Sequence, residues 1–535
     1  MKLKEKCRVF DVAKVKRLRL RERVSRLKHY YIASFPVRPT ASDRMIHSHP
    51  NRSSSLRFLR LLLVAGLVFA IGSGLGAYRT RASQVREQRD FISRVAALGG
   101  YTYYDYQLQL SELGATLADD DGIQSHPHWM AKWIGKDWLH DIFYVSFAQF
   151  SSTTESGSVA EQHDEVGDEL LDQAARIDSL RWLALTGTNI SDQGIARLST
   201  SPLRLERLWL SQTKITDAAL SHLATCPTLT HLAVEGTATS DAGLQRLTQL
   251  PNLQSLSLGS PFFTSAGLRA IGKMVSLREL YLDRLPVDDQ VLNAARSLTQ
   301  LAILSIRATA VTDHGLRQLS QLTKLRELNL DGTQVDGAAF AAGISPATLE
   351  VLSLRGTQFS DEHLTHLAGY RRLKKLEVRD TNCSLAGLIE LLVGKQGRSL
   401  EAALAVVATT TLDDAGHIVT LDLSGLNVVD ADVQMLSQLT HLYWLTLPSR
   451  LTDSGATQLA KNPPPNLSLL NINHSRITDR GLAELAKIES LKNLHVAGTQ
   501  VTQAGVDATR EARTTLHVYN VDLRAAQKIQ RKASQ

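Results

Sequence analysis

The chain has 535 residues, 43% hydrophobic and 21% charged, so it is long enough for several structural units and too apolar to be disordered throughout. Its net charge of +7 is unevenly spread: residues 1–60 hold 17 basic and 4 acidic side chains, and the remainder 43 and 49. A body that is mildly acidic is not a nucleic-acid binder, and three cysteines exclude a disulfide scaffold.

Residues 1–60 form a basic arm. Within 2–28, 12 Lys or Arg accompany 3 acids, and Phe10, Ala13, Leu20, Val24 and Leu27 fall near one helical face. Both a solvated tail and an amphipathic helix on anionic lipid fit that pattern. Met45 is an alternative start. Residues 61–78, Leu61 to Tyr78, are 18 residues without a charge. As a helix they span roughly 27 Å, close to the hydrocarbon thickness of a bilayer. Arg57, Arg60, Arg79 and Arg81 flank the run and suit snorkelling to the two interfaces. The run predicts a single-pass transmembrane anchor; the competing reading is a cleaved signal peptide with its small-residue site at Gly74 to Gly76. The basic arm places the N-terminus in the cytoplasm and the bulk of the chain outside it. Gly72 and Gly76 have the spacing of a helix-pairing motif and give a weak expectation of self-association.

Residues 84–179 read as an N-terminal cap: a helix over 84–98, an alternating strand from Tyr101 to Tyr106, then Trp129, Trp133 and Trp138, with Ile142–Phe147 as a degenerate first coil. The aromatics suit packing over Leu183 and Leu185; a platform for carbohydrate or a lipid headgroup is the alternative. Residues 151–168 are polar and acidic, as in an exposed insertion.

From residue 180 the chain repeats. LxxLxL, with Ile or Val substitutions, starts at Leu180, Leu205, Leu229, Leu253, Leu277, Leu301, Leu325, Leu349 and Leu373, then at Ile418, Leu442, Leu467 and Leu491, with a degenerate copy at Leu516–Val518. Each copy predicts a short strand paired in parallel with the next at about 4.8 Å, with its leucines turned inward. Ser191-Asp192, Thr216-Asp217, Thr312-Asp313 and Thr478-Asp479 predict helix caps, with Asp suiting the positive helix end. The GLxxL that follows supplies the inward side of a helix. No copy buries its apolar face alone, so neighbours share one core.

These motifs resemble the leucine-rich repeat family over residues 180 to about 520. The family's LxxLxLxxNxL stands here as LRELNLDGTQV at Leu325–Val335, with Thr in the Asn position at 188, 213, 237, 309, 333, 357, 381 and 499. A Thr hydroxyl can bond the turn inside each coil. Pro261, Leu285, Leu426 and Ser475 depart from the pattern. The resemblance implies an α/β right-handed leucine-rich repeat solenoid, with a parallel β-sheet on the concave side and helices on the convex side, here preceded by the transmembrane helix. The anchor, the LGGYTYYDYQ segment at Leu98–Gln107, the tryptophan-rich stretch and the TDxGL repeats are together similar to membrane-anchored leucine-rich repeat proteins of planctomycete-type bacteria. That resemblance implies placement rather than mechanism.

Repeats are expected over 180–381 and 418–520, with a basic tail at 521–535. Between them 382–417 interrupts the period: Ser399–Val407 suits a second helix, and Thr409–Leu421 a hairpin entering the next strand. The break could act as a hinge or be inert. No P-loop, HExxH, CxxC or GxSxG is present, and no enzyme, cofactor or metal is expected. Cys226 and Cys383 sit in different coils, more than about 25 Å apart, and cannot bridge. Cys383 is expected in the core, and His474 and His495 on a polar surface.

The third, fifth and seventh positions of each coil face the concave side. The seventh gives Asp283, Arg307, Asp331, Arg355 and Arg379, a ladder of alternating sign that ends on two arginines, beside Tyr281, Glu279, Asn329, Lys375 and Glu377. Trp182, Trp209 and Trp444 point the same way. The expected binding surface is therefore Trp209, Tyr281, Asp283, Arg307, Asp331, Arg355, Lys375, Arg379 and Trp444. A surplus of positive charge at Lys375 and Arg379 would favour an acidic partner. The expected activity is binding of a protein or glycan at the cell envelope. The alternatives are a structural envelope protein that self-associates laterally, and an intracellular adaptor of the ubiquitin-ligase kind.

Overall fold

The structure is a computed structural model. It describes residues 52–105, 108–111, 114–117, 140–147, 163–201, 203–341, 344–345 and 347–520, for 52–72, 74, 108–111 and 114–117 the backbone only. Most of the basic arm with Met45, the three tryptophans at 129, 133 and 138, residues 151–162 and the tail at 521–535 lie outside the described residues. The chain divides into two units, Met1–Ala77 and Tyr78–Gln535.

One helix, Arg52–Ala97, takes in both the apolar run and the helix expected at 84–98. Among the described residues no helix is long and apolar enough to cross a membrane. The side chains of 61–72 and of Gly74 are not among them, and neither is the Gly72 half of the glycine pair. At Gly76 an added Cβ would meet nothing within 4 Å. At its far end the helix buries Val85, Phe91 and Val95 in the second unit, and Arg81 Nη1 holds Asp141 Oδ1 at 2.7 Å.

Nineteen strands follow among the described residues, numbered in chain order from β1 (Tyr101–Tyr104) through β2 (Leu108–Ser111), β3 (Gly114–Leu117) and β4 (Ile142–Ser146). β5 (Trp182–Ala184), β6 (Arg207–Trp209), β7 (His231–Glu235), β8 (Ser255–Gly259), β9 (Glu279–Tyr281), β10 (Ile303–Ser305), β11 (Glu327–Asn329), β12 (Val351–Ser353) and β13 (Lys375–Glu377) are the first nine repeats. They and β4 pair in parallel, with β1 antiparallel on the outer side of β4, so Ile142–Phe147 does join the sheet as a first coil. Register is in step from coil to coil: Leu304, Leu328 and Leu352 stand opposite one another. This alignment stacks the inward leucines into one column, and Leu280, Leu304, Leu328, Leu352 and Leu376 are all buried. The sheet ends at β13. A second sheet opens with β14 (Thr409–Leu412), antiparallel to β15 (Ile418–Asp422). It continues in parallel through β16 (Trp444–Thr446), β17 (Leu469–Asn471), β18 (Asn493–His495) and β19 (His517–Tyr519). The break holds a Ser399-capped helix, Leu400–Val407, and the β14–β15 hairpin.

Hydrogen bonds explain the repeat letter by letter. In the Thr position, the hydroxyls of Thr188, Thr213, Thr237, Thr309, Thr333 and Thr357 each donate to the carbonyl three residues back, at 2.6–2.7 Å. The residue before that Thr lies in the left-handed region, with φ near +65° at Gly236, Gly332 and Gly356 and +57° at Gln212. Ser191, Thr216, Ser240, Thr312 and Thr478 cap their helices. The following Asp does more than face a helix dipole. Asp192 takes the backbone N–H and hydroxyl of Thr216, the cap of the next coil, at 2.8 and 2.7 Å. Asp217 and Ser240, Asp289 and Thr312, and Asp453 and Thr478 repeat the bond. The Gly of GLxxL makes room for this carboxylate: a Cβ at Gly243, Gly315 or Gly481 would collide with the Asp of the coil before. Most coils are thus stapled to the next on the convex side as well as through the strand; at Ser360 the staple is missing, because Gly337 stands in the Asp position of the coil before.

Cys383 is buried in the core, where desolvation pushes its thiol up to about 12. His495 is buried rather than on a polar surface: it stacks on Tyr519 with ring centroids 4.8 Å apart, and burial lowers its pKa.

Candidate functional site: a trough on the strand face

The strand face is uneven because the coils differ in side-chain size. β8 presents Ser255, Ser257 and Gly259, and β7 presents Ala233 at its centre. On one side stand Arg207, Trp209 and His231; on the other Glu279, Tyr281 and Asp283. Small residues between large ones leave a trough in two connected hollows of about 510 and 1050 Å³, which share Glu235 and Tyr281. The larger hollow reaches Arg307.

The first wall rests on an aromatic cluster. Tyr103 stacks on Tyr144 at 5.2 Å, Tyr144 meets Trp182 and Trp209 at 5.7 and 6.1 Å, and the Arg207 guanidinium lies 4.2 Å over the Trp182 ring. Of the aromatics expected over Leu183 and Leu185, Phe147 does lie in their core cluster, Tyr103 and Tyr144 lie on the strand face instead, and Trp129, Trp133 and Trp138 lie outside the described residues. Alternation along β4 sends Val145 and Phe147 into the leucine core and Tyr144 to the strand face in a cluster of its own; Ile142 also lies in the core, beyond the register irregularity between β1 and β4. Trp182 is buried there, and its Nε1 finds no acceptor among the described residues. His231 is neutral at pH 7: burial, then the nearby Arg207 charge, lowers its pKa to about 4.

The second wall is acidic. Burial raises the Tyr281 phenol well above its ordinary value, and the carboxylates of Glu279, Glu327, Asp283 and Glu235 raise it further. Tyr281 therefore offers a hydroxyl donor inside a negative field. Glu235 bonds Ser257, and Asp283 accepts from Ser305 Oγ at 2.6 Å and Arg307 N at 3.0 Å. Asp331 likewise takes Ser353 and the Arg355 N–H at 2.9 Å. The alternating ladder is thus held mainly by each acid reaching the serine and backbone of the next coil; the Arg307–Asp331 ion pair is long, at 3.7 Å.

Of the residues expected at the surface, Trp209, Tyr281, Asp283 and Arg307 line the trough. Asp331 and Arg355 lie further along the same sheet. Lys375 and Arg379 are not a bare positive surplus: Glu377 stands between them, at 2.9 Å from Lys375 Nζ and 3.8 Å from Arg379 Nε. Glu377 stands beside the ladder in the sequence, in the fifth position, but its ion pairs to both neighbours are a matter of side-chain geometry. Arg379 also donates to Thr409 at 3.1 Å, across the break between the sheets. Trp444 is exposed on the second sheet, apart from the trough. Sequence reasoning missed Arg207, His231 and Glu235. The available signal was the run of small residues in one coil, visible when all three outward positions are read coil by coil.

The coil at residues 464–486 matches a family model described as a leucine-rich repeat, the leucine column runs on through the other coils, and the Asp staple recurs in most of them. No curated protein is similar to the chain in sequence. Among solved structures, an internalin from Listeria monocytogenes is 17% identical, with 66% of this chain and 89% of that one covered and a TM-score of 0.36. The Rad7 and Elc1 complex in yeast is 16% identical, covering 86% and 98%, with a TM-score of 0.39. The plant peptide hormone receptor RGFR1 in complex with RGF2 is 13% identical, covering 65% and 68%, with a TM-score of 0.35. The sequence match and the coil-by-coil bonding support a leucine-rich repeat protein.

Proposed function

We propose that the chain is a membrane-anchored, non-enzymatic binding protein that displays its coils outside the cytoplasm and takes a segment of a partner protein into the strand-face trough. Leucine-rich repeat proteins generally mediate protein–protein interaction. The observation that carries the reading is the trough itself, with Trp209 on one wall and Tyr281 amid carboxylates on the other. Half-buried aromatics beside a solvent-filled hollow are the usual anchors of protein recognition. Glu235, Glu279 and Asp283 are matched in number by Arg207, Arg284 and Arg307, but the three carboxylates all act on Tyr281, so the segment's basic side chain is placed beside that tyrosine.

A photo-crosslinking residue at Ser257, on the trough floor, tests this in intact cells. A specific heterologous adduct is expected, reduced at least about tenfold by Trp209→Ala with Tyr281→Ala and weakened by Glu279→Lys. Arg355→Glu should leave it unchanged. Loss on Arg355→Glu alone would move the site to the charge ladder, and self-adducts only would favour the structural envelope protein.

The anchor and orientation rest on the 18-residue apolar run and the basic arm. Protease added to intact spheroplasts should digest the coils and spare the arm. Full protection of the coils would reverse the topology.

A further inference from the structure

Two histidines and an aspartate meet where the second sheet begins. Asp413 closes the β14–β15 hairpin, His417 precedes β15 and His441 stands just ahead of β16; one ligand atom of each lies within 4.8 Å of the others. The repeat accounts for the meeting. His417 and His441 each precede the first apolar position of a coil, Ile418 and Leu442, and parallel strands in register set such residues side by side. In other coils this position ties one coil to the previous one: Thr228 Oγ1 donates to Leu205 O, and Ser276 Oγ to Leu253 O, both at 2.7 Å. The two imidazoles instead face each other, with ring centroids 3.9 Å and planes 12° apart.

The hairpin presents the carboxylate. Asp413 Oδ1 accepts from Ala415 N at 3.0 Å and His417 N at 2.8 Å, and Gly416, at φ +86°, allows the turn. These donors, the His417 N–H foremost, hold the Asp413 carboxyl below its ordinary range, so it is ionised at neutral pH. Its Oδ2 faces His417 Nδ1 at 3.4 Å.

We propose that Asp413, His417 and His441 bind a divalent transition metal ion, Zn²⁺ foremost, which clamps the β14–β15 hairpin to the coil of β16. Two imidazoles and a carboxylate are the borderline donors such ions take, and three protein ligands leave a position for water or a partner's donor. A metal lies in the plane of each imidazole it bonds. The stacked rings therefore turn about their Cβ–Cγ bonds on binding, which is open to them because His441 is exposed and His417 half-exposed. The site is remote in sequence from the trough residues and stands whether or not the trough binds a protein.

The test uses the untagged full chain in detergent, stripped with a chelator, then titrated with Zn²⁺ by calorimetry and with Co²⁺ by visible absorption. His417→Gln, His441→Gln and Asp413→Asn are compared with wild type and with His314→Gln, an exposed histidine elsewhere. Wild type and the His314 variant should bind one equivalent that the other three lose, with affinity reduced at least about tenfold. Co²⁺ should give ligand-field bands, and Zn²⁺ should raise the melting temperature of wild type and the His314 variant but not of the three ligand variants. Asp413→Asn keeps the oxygen that accepts the turn's hydrogen bonds, and the metal-free melting temperature checks that the variants fold. Equal binding by wild type and the three ligand variants, or no saturable binding by wild type, overturns the proposal.

Discussion

Leu328→Arg should unfold the middle of the solenoid. Leu328 is the central inward leucine of β11, fully buried, with Leu304 and Leu352 opposite it in the neighbouring strands. A guanidinium there meets only apolar side chains, and an unpaired buried charge costs more than about 4 kcal/mol. The solenoid amplifies the damage. Each coil is stabilised by contact with its two neighbours, so a failed coil withdraws support from both sides. Limited proteolysis should then cut between β10 and β12, and helical and strand signals in circular dichroism should fall together. Glu327→Arg is the control. Glu327 is one residue away but exposed, and its change should cost less than about 1 kcal/mol. Equal losses of melting temperature would mean that inward and outward positions are misassigned.

The coil was legible because a strict period with apolar residues at three fixed positions admits one arrangement, strands in register over a shared core. Helix caps were legible for the same local reason: Ser or Thr before Asp, ahead of an apolar run, has a direct physical meaning. Even the interruption could be read, since Ser399 caps a helix and the Asp413–Gly416 segment turns a hairpin. What escaped the sequence depends on neighbours. The trough exists because Ser255, Ser257 and Gly259 are small beside Trp209 and Tyr281, and smallness is not a motif. The charge balance at Arg379 turned on the side-chain pairing of Glu377, the last residue of β13. His417 and His441 are 24 residues apart, one repeat, so the spacing alone pairs them, although no motif marks the column ahead of the first leucine. The role of Asp was half read, as a helix-dipole partner, because its real bonds go to a residue about one repeat later.

That last bond leads to a prediction in which two damaging changes should partly cancel. Asp453 accepts from Thr478 N at 2.8 Å, Thr478 Oγ1 at 2.6 Å and Gly481 N at 3.1 Å. Asp453→Ala leaves two partly buried N–H groups without their acceptor, and hydrogen bonds to a charged group contribute about 1.5–3 kcal/mol each. A net loss of about 3 kcal/mol is expected. Gly481→Ala acts on the same contact from the other side. Its methyl would occupy the place of Asp453 Oδ1 and also press on Ile477 Cγ2 at 2.9 Å, so the carboxylate must leave and the three bonds go with it. That variant should lose about 2 kcal/mol or more, although Ala is a better helix former than Gly by about 1 kcal/mol. In the double variant the carboxylate is already absent, so the methyl displaces nothing polar and the helix gains the better residue. Its loss should therefore fall below the sum of the two single losses by at least about 1.5 kcal/mol, the signature of residues that share one interaction. Chemical denaturation of the four proteins measures this cycle. Additive losses would show that Gly481 and Asp453 act independently, and the glycine of the TDxGL pattern would then need a cause other than room for the carboxylate of the coil before.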